Sequence, residues 1–400
     1  MFILKKIGCR IFQIAFRAAL PILPYREPQI VSSLADLGAT CKKEKIKSVL
    51  IVTDAGIVKN GLTISLEDVL KENKIQYTLY DKTQPNPTVD NVEEALALYR
   101  KSGCDALIAI GGGSAMDCAK AVGARLVYPK KPLYKMKGIL RVLRRIPTLI
   151  AIPTTAGTGS EVTLAAVITD SEKHHKYTMN NFTFIPRYAV LDPEVTYSLP
   201  PSLTATTGMD ALTHAVEAYI GRSTTKKTRK MALDATSLIF SNIEVAFKDG
   251  KNSEARENML KAAYLAGNAF SQSYVGYVHA VAHSLGGKYN TPHGLANSVL
   301  LPVVLEQYGE RVYKKLHRLG VAAGVADETD TRQQGAKKLI LAVSELNERL
   351  MIPKTLSGII DDDIPEMARH ADKEANPLYP VPVLMNARQL ESLYHLVKEK

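Results

Sequence analysis

The stretch HAVAHSLGGKYNTPH, from His279 to His293, holds three of the chain's nine histidines. His279 and His283 are four apart, a spacing that puts both imidazoles on one face of a helix. In GMDALTHAVEAY, Asp210 and His214 repeat that spacing. The SLGG segment predicts the end of the helix carrying His279 and His283, after which the chain returns to deliver His293 in a Pro-His-Gly turn. One carboxylate and four imidazoles are more than a core requires, and three His with one Asp suit a divalent first-row metal. Such a site leaves a coordination position for a substrate oxygen. The other histidines read differently. His174 and His175, between Lys173 and Lys176, read as a solvated turn. His317, His370 and His395 read as surface residues in charged helical text.

A second chemistry lies earlier in the chain. GGGS, at Gly111, Gly112, Gly113 and Ser114, sits between a strand-like run and a helical one. Glycines let bare N–H groups approach a ligand while the following helix directs its positive end there, a geometry that fits a diphosphate. TTAGTGSE (154–161) supplies a second loop of small and hydroxyl residues after another strand. Asp54 closes the first strand, where its carboxylate would accept from a ribose 2′-hydroxyl and repel a 2′-phosphate. That favours NAD over NADP. The competing role for Asp54 is that of a turn former. It precedes the glycines by 57 residues, the reverse of the usual dinucleotide fingerprint.

The elements that must hold these residues are readable as periodicity. KSVLIVTD (47–54), QYTLYD (76–81), DALIAI (105–110), TLIAIPTT (148–155) and AVLDPE (189–194) read as strands. Residues 62–73 read as a helix, and Thr88 as the cap of another. Strands alternating with helices predict a largely parallel α/β sheet. From about Ser198 long helical patterns take over, at 203–221, 227–247, 254–272, 277–286 and 297–308. The expected division is a basic amphipathic leader over 1–26, an α/β dinucleotide-binding domain over 27–200 with a mostly parallel sheet, and an all-α metal-binding domain over 201–400.

Composition excludes several classes. The 400 residues are 46% apolar and 23% charged, as in ordinary globular chains. The four cysteines show no CxxC spacing, so free thiols in a reducing compartment are expected. The net charge of +11 is not spread over the body. Residues 1–26 hold five bases and 130–145 (KKPLYKMKGILRVLRR) hold seven, with no acid in either, so the remainder sums to −1. No nucleic-acid-binding pattern accompanies them, and no nucleic-acid partner is expected. In the leader, Lys6, Arg10, Gln13 and Arg17 form a polar stripe beside an apolar stripe of Ile7, Ile11, Ile14 and Ala18, ended by Pro21 and Pro24. Too polar to span a bilayer and lacking a secretory pattern, this segment leaves two readings open: a helix packed on the core with its basic face solvated, and a helix on an anionic membrane surface. An organelle transit peptide, also basic, amphipathic and acid-poor, is a third. Cytoplasmic residence is the expectation, with peripheral membrane contact through 1–26 and 130–145 as the open alternative.

GGGSAMDCAK, IPTTAGTGSEVT, GMDALTHAVEAY and HAVAHSLGGKYNTPHGLANSVLLP together resemble the iron-dependent alcohol dehydrogenase family, over roughly residues 45–310 and on toward the end. The resemblance implies the dehydroquinate synthase-like fold of that family, an N-terminal nucleotide domain and a C-terminal helical one with the active site in the cleft between them, and a homodimer. It implies Asp210, His214, His279 and His293 as ligands of Fe²⁺, or Zn²⁺ in some relatives. It implies His283 as a non-ligand proton relay. Cofactor contacts would fall to Asp54, the Gly111–Ser114 loop, Asp117, Thr154, Thr155 and Thr158, with Lys176 near the phosphates or ribose, Leu191 near the adenosine and Asn86 near the diphosphate or nicotinamide. The implied reaction is hydride transfer between NAD and a small alcohol, diol or aldehyde, with the metal polarising the substrate oxygen. Alternatives on the same fold are a polyol dehydrogenase, a hydroxyacid–oxoacid transhydrogenase and a dehydroquinate synthase. A membrane-peripheral protein without catalysis is the alternative from another class.

Overall fold

The computed structural model describes residues 2–170 and 175–399. Its strands are β1 (Gln29–Val31), β2 (Ser48–Val52), β3 (Gln76–Tyr80), β4 (Ala106–Gly111), β5 (Gly138–Ile139), β6 (Thr148–Pro153), β7 (Ala165–Asp170), β8 (His175–Asn180) and β9 (Tyr188–Val190). Its helices are α1 (Phe2–Ala19), α2 (Leu37–Lys43), α3 (Ala55–Lys59), α4 (Ile64–Glu72), α5 (Val89–Lys101), α6 (Gly113–Val127), α7 (Pro201–Ile220), α8 (Lys226–Lys248), α9 (Ser253–Ser273), α10 (Tyr277–Tyr289), α11 (His293–Tyr308), α12 (Glu310–Ala322), α13 (Arg332–Arg349), α14 (Ile364–Ala375) and α15 (Ala387–Val397). Two compact units result. One is Pro24–Leu199; the other joins the chain up to Leu23 to everything from Pro200 onward.

In the α/β unit the continuous apolar runs become the middle of a parallel sheet ordered β1-β9-β6-β4-β2-β3. Strands buried on both faces need no polar alternation. Leu50, Val52, Leu107 and Ala109 face the layer containing α5 and α6 residues such as Leu96 and Val122. Val49, Ile51, Ile108 and Ile110 face the layer containing Leu66 and Leu70 of α4. From β2 the chain goes to β3 on one side, then crosses to β4 on the other. The sheet therefore has its topological switch point between β2 and β4, where open α/β sheets bind ligands beyond the strands' carboxyl ends.

Four strands escape the sequence reading. β1 and β5 are too short to carry a period. β7 and β8 form an antiparallel pair joined by β5 into a small second sheet. In β8, Tyr177 and Met179 are buried while Lys176 and Thr178 are not, a period-2 pattern masked by its polar half. His175 opens this strand instead of lying in a turn; His174 lies outside the described residues.

In the helical unit α7 is buried on nearly every side and packs on α8, α9 and α11. An apolar helix buried all round is expected at a core, so the polar residues within it require a reason. α10 passes through Gly286 and Gly287 and stops only at Asn290, whose left-handed φ of 55° ends it. Glycine weakens a helix without obliging it to stop; the stop comes from Asn290 and the following Pro292.

Candidate active site

The helical unit gathers the first cluster. α7 presents Asp210 and His214 one turn apart, α10 presents His279, and His293 is the first residue of α11. One donor atom from each of the four lies within 4.8 Å of the others. Among the described residues this is the one group of its kind. Asp210 Oδ1 is 3.7 Å from His279 Nε2 and 3.5 Å from His293 Nε2. Those separations are too long for good hydrogen bonds. They are close to the roughly 3.0–3.5 Å expected between two donors each about 2.1 Å from one ion. His279 Nε2 is buried and has no hydrogen-bond partner. An orphaned buried nitrogen is costly, and a cation would relieve it. Asn297 Nδ2 holds Asp210 Oδ1 at 2.6 Å and lies 3.1 Å from His293 Nε2. The donor set fits a divalent ion.

Protonation agrees with ligation, which needs neutral imidazole. Burial, reinforced by His214, His293 and His283, holds His279 well below the ordinary imidazole range. Burial lowers His293 to about 4 despite Asp210, although its side chain is 40% exposed. His283 is different. It is outside the four-donor group, its Nδ1 lies 2.6 Å from Glu374 Oε1, and its ring stacks 5.2 Å from that of His293. Burial opposes its charge, but Glu374 raises its pKa above the ordinary value. Tyr379 donates to the same Glu374 oxygen at 2.7 Å.

The sequence reading missed Glu217, Asn297 and Glu374. Glu217 Oε2 lies 2.7 Å from His279 Nδ1 and accepts from Gly276 N–H at 2.7 Å, while Oε1 accepts from Val278 N–H at 2.8 Å. Burial pushes its pKa up to about 7, against the pull of those N–H groups. Its signal was present: Asp210, His214 and Glu217 fall at i, i+4 and i+7 on a helix with no other charged or imidazole side chain. Asn297 is likewise one turn beyond His293. Glu374 lies 91 residues from His283 in ordinary charged helical text, with nothing to mark it.

The α/β unit gathers the second cluster at the switch point. β2 pairs with β4, so Asp54 and the glycine loop are neighbours despite their separation in sequence. A Cβ on Gly111 would sit 3.6 Å from Asp54 Oδ2, and one on Gly113 would meet Thr158 at 3.3 Å. Gly111 has φ +145°, a backbone only glycine adopts easily. Gly112 caps α6 without a side chain, leaving the first-turn N–H groups to a ligand. Thr154 N–H donates to Gly111 O at 3.0 Å, joining the two loops, and Thr155 follows half-buried. Asn86, at φ +59°, donates its N–H to Ser114 Oγ. Lys176 pairs across β7 with Thr169, whose N–H bonds Pro87 O beside that turn. Leu191 follows the carboxyl end of β9, on the same carboxyl side of the sheet.

Asp54 and Asp117 already have partners. Asp54 Oδ1 caps α3 by accepting from Gly56 and Ile57 N–H, so the turn-forming role is real, with Oδ2 turned toward Gly111. Asp117 accepts from Ser160 Oγ and Val167 N–H, both at 2.9 Å, and so braces the second loop. Lys120 does the same from below. It is fully buried, and its Nζ donates to Ser160 O, Ser160 Oγ, Thr163 Oγ1 and Ala165 O within 3.0 Å, 3.8 Å from Asp117. Replacing Lys120 by Met should cost about 3 kcal/mol, by taking the cation from the half-buried Asp117 and the donor from Ser160, Thr163 and Ala165. Chemical denaturation would measure it; a loss under about 1 kcal/mol would show the loop is braced by other means.

Residues 29–193 match the iron-containing alcohol dehydrogenase family, and residues 204–397 match the C-terminal domain of the Fe-containing alcohol dehydrogenase family. The chain belongs to the iron-containing alcohol dehydrogenase family. It is 40% identical to alcohol dehydrogenase 4 of Schizosaccharomyces pombe, over 87% of this chain and 82% of that one. It is 38% identical to the 1,3-propanediol dehydrogenase of Klebsiella pneumoniae, over 86% and 90%. The solved alcohol dehydrogenase of Oenococcus oeni superposes with a TM-score of 0.89 at 32% identity, over 93% of this chain and 100% of that one. The protein is therefore a metal- and nicotinamide-dependent oxidoreductase of alcohols and aldehydes, which removes the non-catalytic alternative.

Proposed function

We propose that this enzyme interconverts a small alcohol or diol and its aldehyde with NAD, holding Fe²⁺ (Zn²⁺ as the substitute) on Asp210, His214, His279 and His293. The observation that supports it most is the four-donor cluster with its orphaned His279 Nε2. The substrate class follows from the relatives' activities on alcohols and on 1,3-propanediol. When bound, the cation supplies Lewis acidity toward the substrate oxygen and the nicotinamide takes or gives the hydride. The chain's own residues do the rest. Asp210 and the three imidazoles hold the cation. His283, anchored through Nδ1 to Glu374, holds and passes the hydroxyl proton at Nε2. Gly111, Gly112, Gly113 and Ser114 offer N–H groups to the diphosphate, with Thr154, Thr155, Thr158 and Asn86 around it. Lys176 serves the phosphates or ribose, Leu191 the adenosine, and Asp117 keeps the second loop in place. Asp54 Oδ2 selects NAD. The enzyme works as a homodimer in the cytoplasm, in peripheral contact with membrane through 1–26 and 130–145. Among the described residues no helix is long and apolar enough to cross one, and all four cysteines are free and buried.

A screen of short aldehydes, diols and hydroxy acids on Fe²⁺-loaded protein with NADH and NADPH tests this; full activity after exhaustive chelation would refute it. Asp54→Asn keeps the helix cap and removes the charge. It should raise the NADP-to-NAD ratio of kcat/KM at least about tenfold, equivalent to about 1.4 kcal/mol. An unchanged ratio leaves Asp54 as a cap alone.

A further inference from the structure

Helix α1 is seated through Arg10 and Gln13 of its polar stripe, while Arg17 of that stripe stays exposed. The Arg10 guanidinium donates to Val381 O at 2.7 Å and Pro382 O at 3.0 Å, and Gln13 Nε2 donates to Tyr379 O at 2.7 Å. Gln13 and Cys9 are buried, and Phe16 meets Tyr274 edge-on at 5.1 Å. The carbonyls of the 379–382 segment need donors, and the leader's polar side chains provide them. The stripe of Ile7, Ile11 and Ile14 then points outward, 52%, 63% and 64% exposed, with Phe12 at 40% and Ile22 beyond the helix at 82%. A helix held to a globular body normally does the reverse.

Arg17 links α1 to a group of cations with few acids to answer them. Burial, then Arg229, Arg222 and Arg17, lower the pKa of Lys315 to about 8, which places α1's Arg17 in one cationic cluster with α8 and α12. An open cavity of about 720 Å³ in the same unit is lined by Lys226, Arg229, Lys230, Lys314, Arg318 and Arg332, with Glu328 as its acid. Lys230 pairs with Asp234. Among the described residues the other five bases have no carboxylate partner.

We infer that the helical unit docks on an anionic lipid bilayer through α1, with Ile7, Ile11 and Ile14 entering the boundary between headgroups and acyl chains and the cationic cluster linked to α1 by Arg17 meeting the headgroup phosphates. Apolar insertion with flanking bases is the chemistry that recognises such a surface. A second copy of the chain fits less well. A symmetric contact would set two acid-free basic segments against each other. A stripe one helix wide also falls short of the ~800 Å² that each partner in a stable dimer covers. The inference specifies the peripheral contact proposed above and does not depend on the dehydrogenase chemistry. The 130–145 segment of the other unit exposes Leu140 (41%) and Leu143 (72%) among its bases, so it is the other half of that contact, and the test separates the two.

The test is flotation of the metal-loaded, full-length protein with phosphatidylcholine vesicles, with and without phosphatidylglycerol. Light scattering is run in parallel. Wild type should float with anionic vesicles alone. Ile11→Ser with Ile14→Ser leaves the Arg10 and Gln13 seat intact; it should cut vesicle partitioning at least about tenfold while aldehyde turnover in solution persists. Lys226→Ala with Lys314→Ala and Arg318→Ala should weaken partitioning and its salt sensitivity together. Wild-type flotation by the isoleucine variant, with loss in Leu140→Ser with Leu143→Ser, would overturn the assignment to α1 and leave peripheral contact standing through 130–145. No flotation at all would overturn both. A fall in mass of the isoleucine variant without vesicle binding by wild type would assign the stripe to a second copy.

Discussion

His279→Ala loses bound metal and turnover together while the protein stays folded. The residue is central to the four-donor group: its Nε2 faces Asp210 Oδ1, its ring stacks 4.6 Å from His214, and its Nδ1 rests on Glu217. Outer partners of metal ligands are worth roughly 10–100-fold in affinity, so loss of a ligand exceeds about 10²-fold. Without Lewis acidity worth several kcal/mol, kcat should fall on the order of 10³-fold. The fold survives because the cavity is lined by polar groups and admits water, and Glu217 keeps its bonds to Gly276 and Val278. Metal content after gel filtration, kcat and a thermal melt decide it; stoichiometric metal in the variant would remove His279 from the ligand set. His283→Ala is the counterpart. It should keep the metal and lose turnover, since His283 lies outside the group and faces Glu374. Loss of metal there would make His283 a ligand and displace one of the other three.

How far the sequence carried this arrangement depends on whether a signal was local. The runs at 48–52 and 106–111 were legible as strands because both sheet faces are covered, so they read as unbroken apolar text. The sequence could not supply their adjacency in the sheet. That adjacency is why an acid 57 residues ahead of the glycines still meets them. The histidine pairs were legible because helical spacing is local. Their partners were not equally so: Glu217 and Asn297 share the helical spacing, whereas Glu374 arrives from a distant helix with no periodic mark.

The leader shows a different failure: of its two readings, the packed one took a legible pattern with the wrong sign. Polar-out packing assumes that water is the best partner for Arg10 and Gln13. In the fold their partners are the carbonyls of Tyr379, Val381 and Pro382, which the sequence gives no means of identifying. Membrane docking and core packing were weighed as alternatives for this helix. The seat shows that packing by the polar face and exposure of the apolar one belong together.

Glu217→Gln is the sharper test of the metal centre because it changes one atom and almost no volume. Three donors converge on the carboxylate: the N–H groups of Gly276 and Val278, and His279 Nδ1 in the tautomer that leaves Nε2 open. A carboxylate accepts all three. A carboxamide does not. With its oxygen toward Gly276 and His279, its NH₂ faces the Val278 N–H. Turned the other way, the NH₂ faces Gly276 N–H and His279 Nδ1, and the imidazole meets it by moving its proton to Nε2, where it blocks the metal. A Cβ on Gly276 would lie 2.6 Å from Glu217 Oε1, so the side chain has no room to swing clear. The variant should therefore bind Fe²⁺ or Zn²⁺ about 10–100-fold more weakly in a competition titration, although all four ligands are intact. Glu217→Asp, shorter but still an acceptor, should recover part of the loss. A role confined to packing predicts the reverse order, with Gln harmless and Asp damaging; that result would leave His279 oriented by the fold alone.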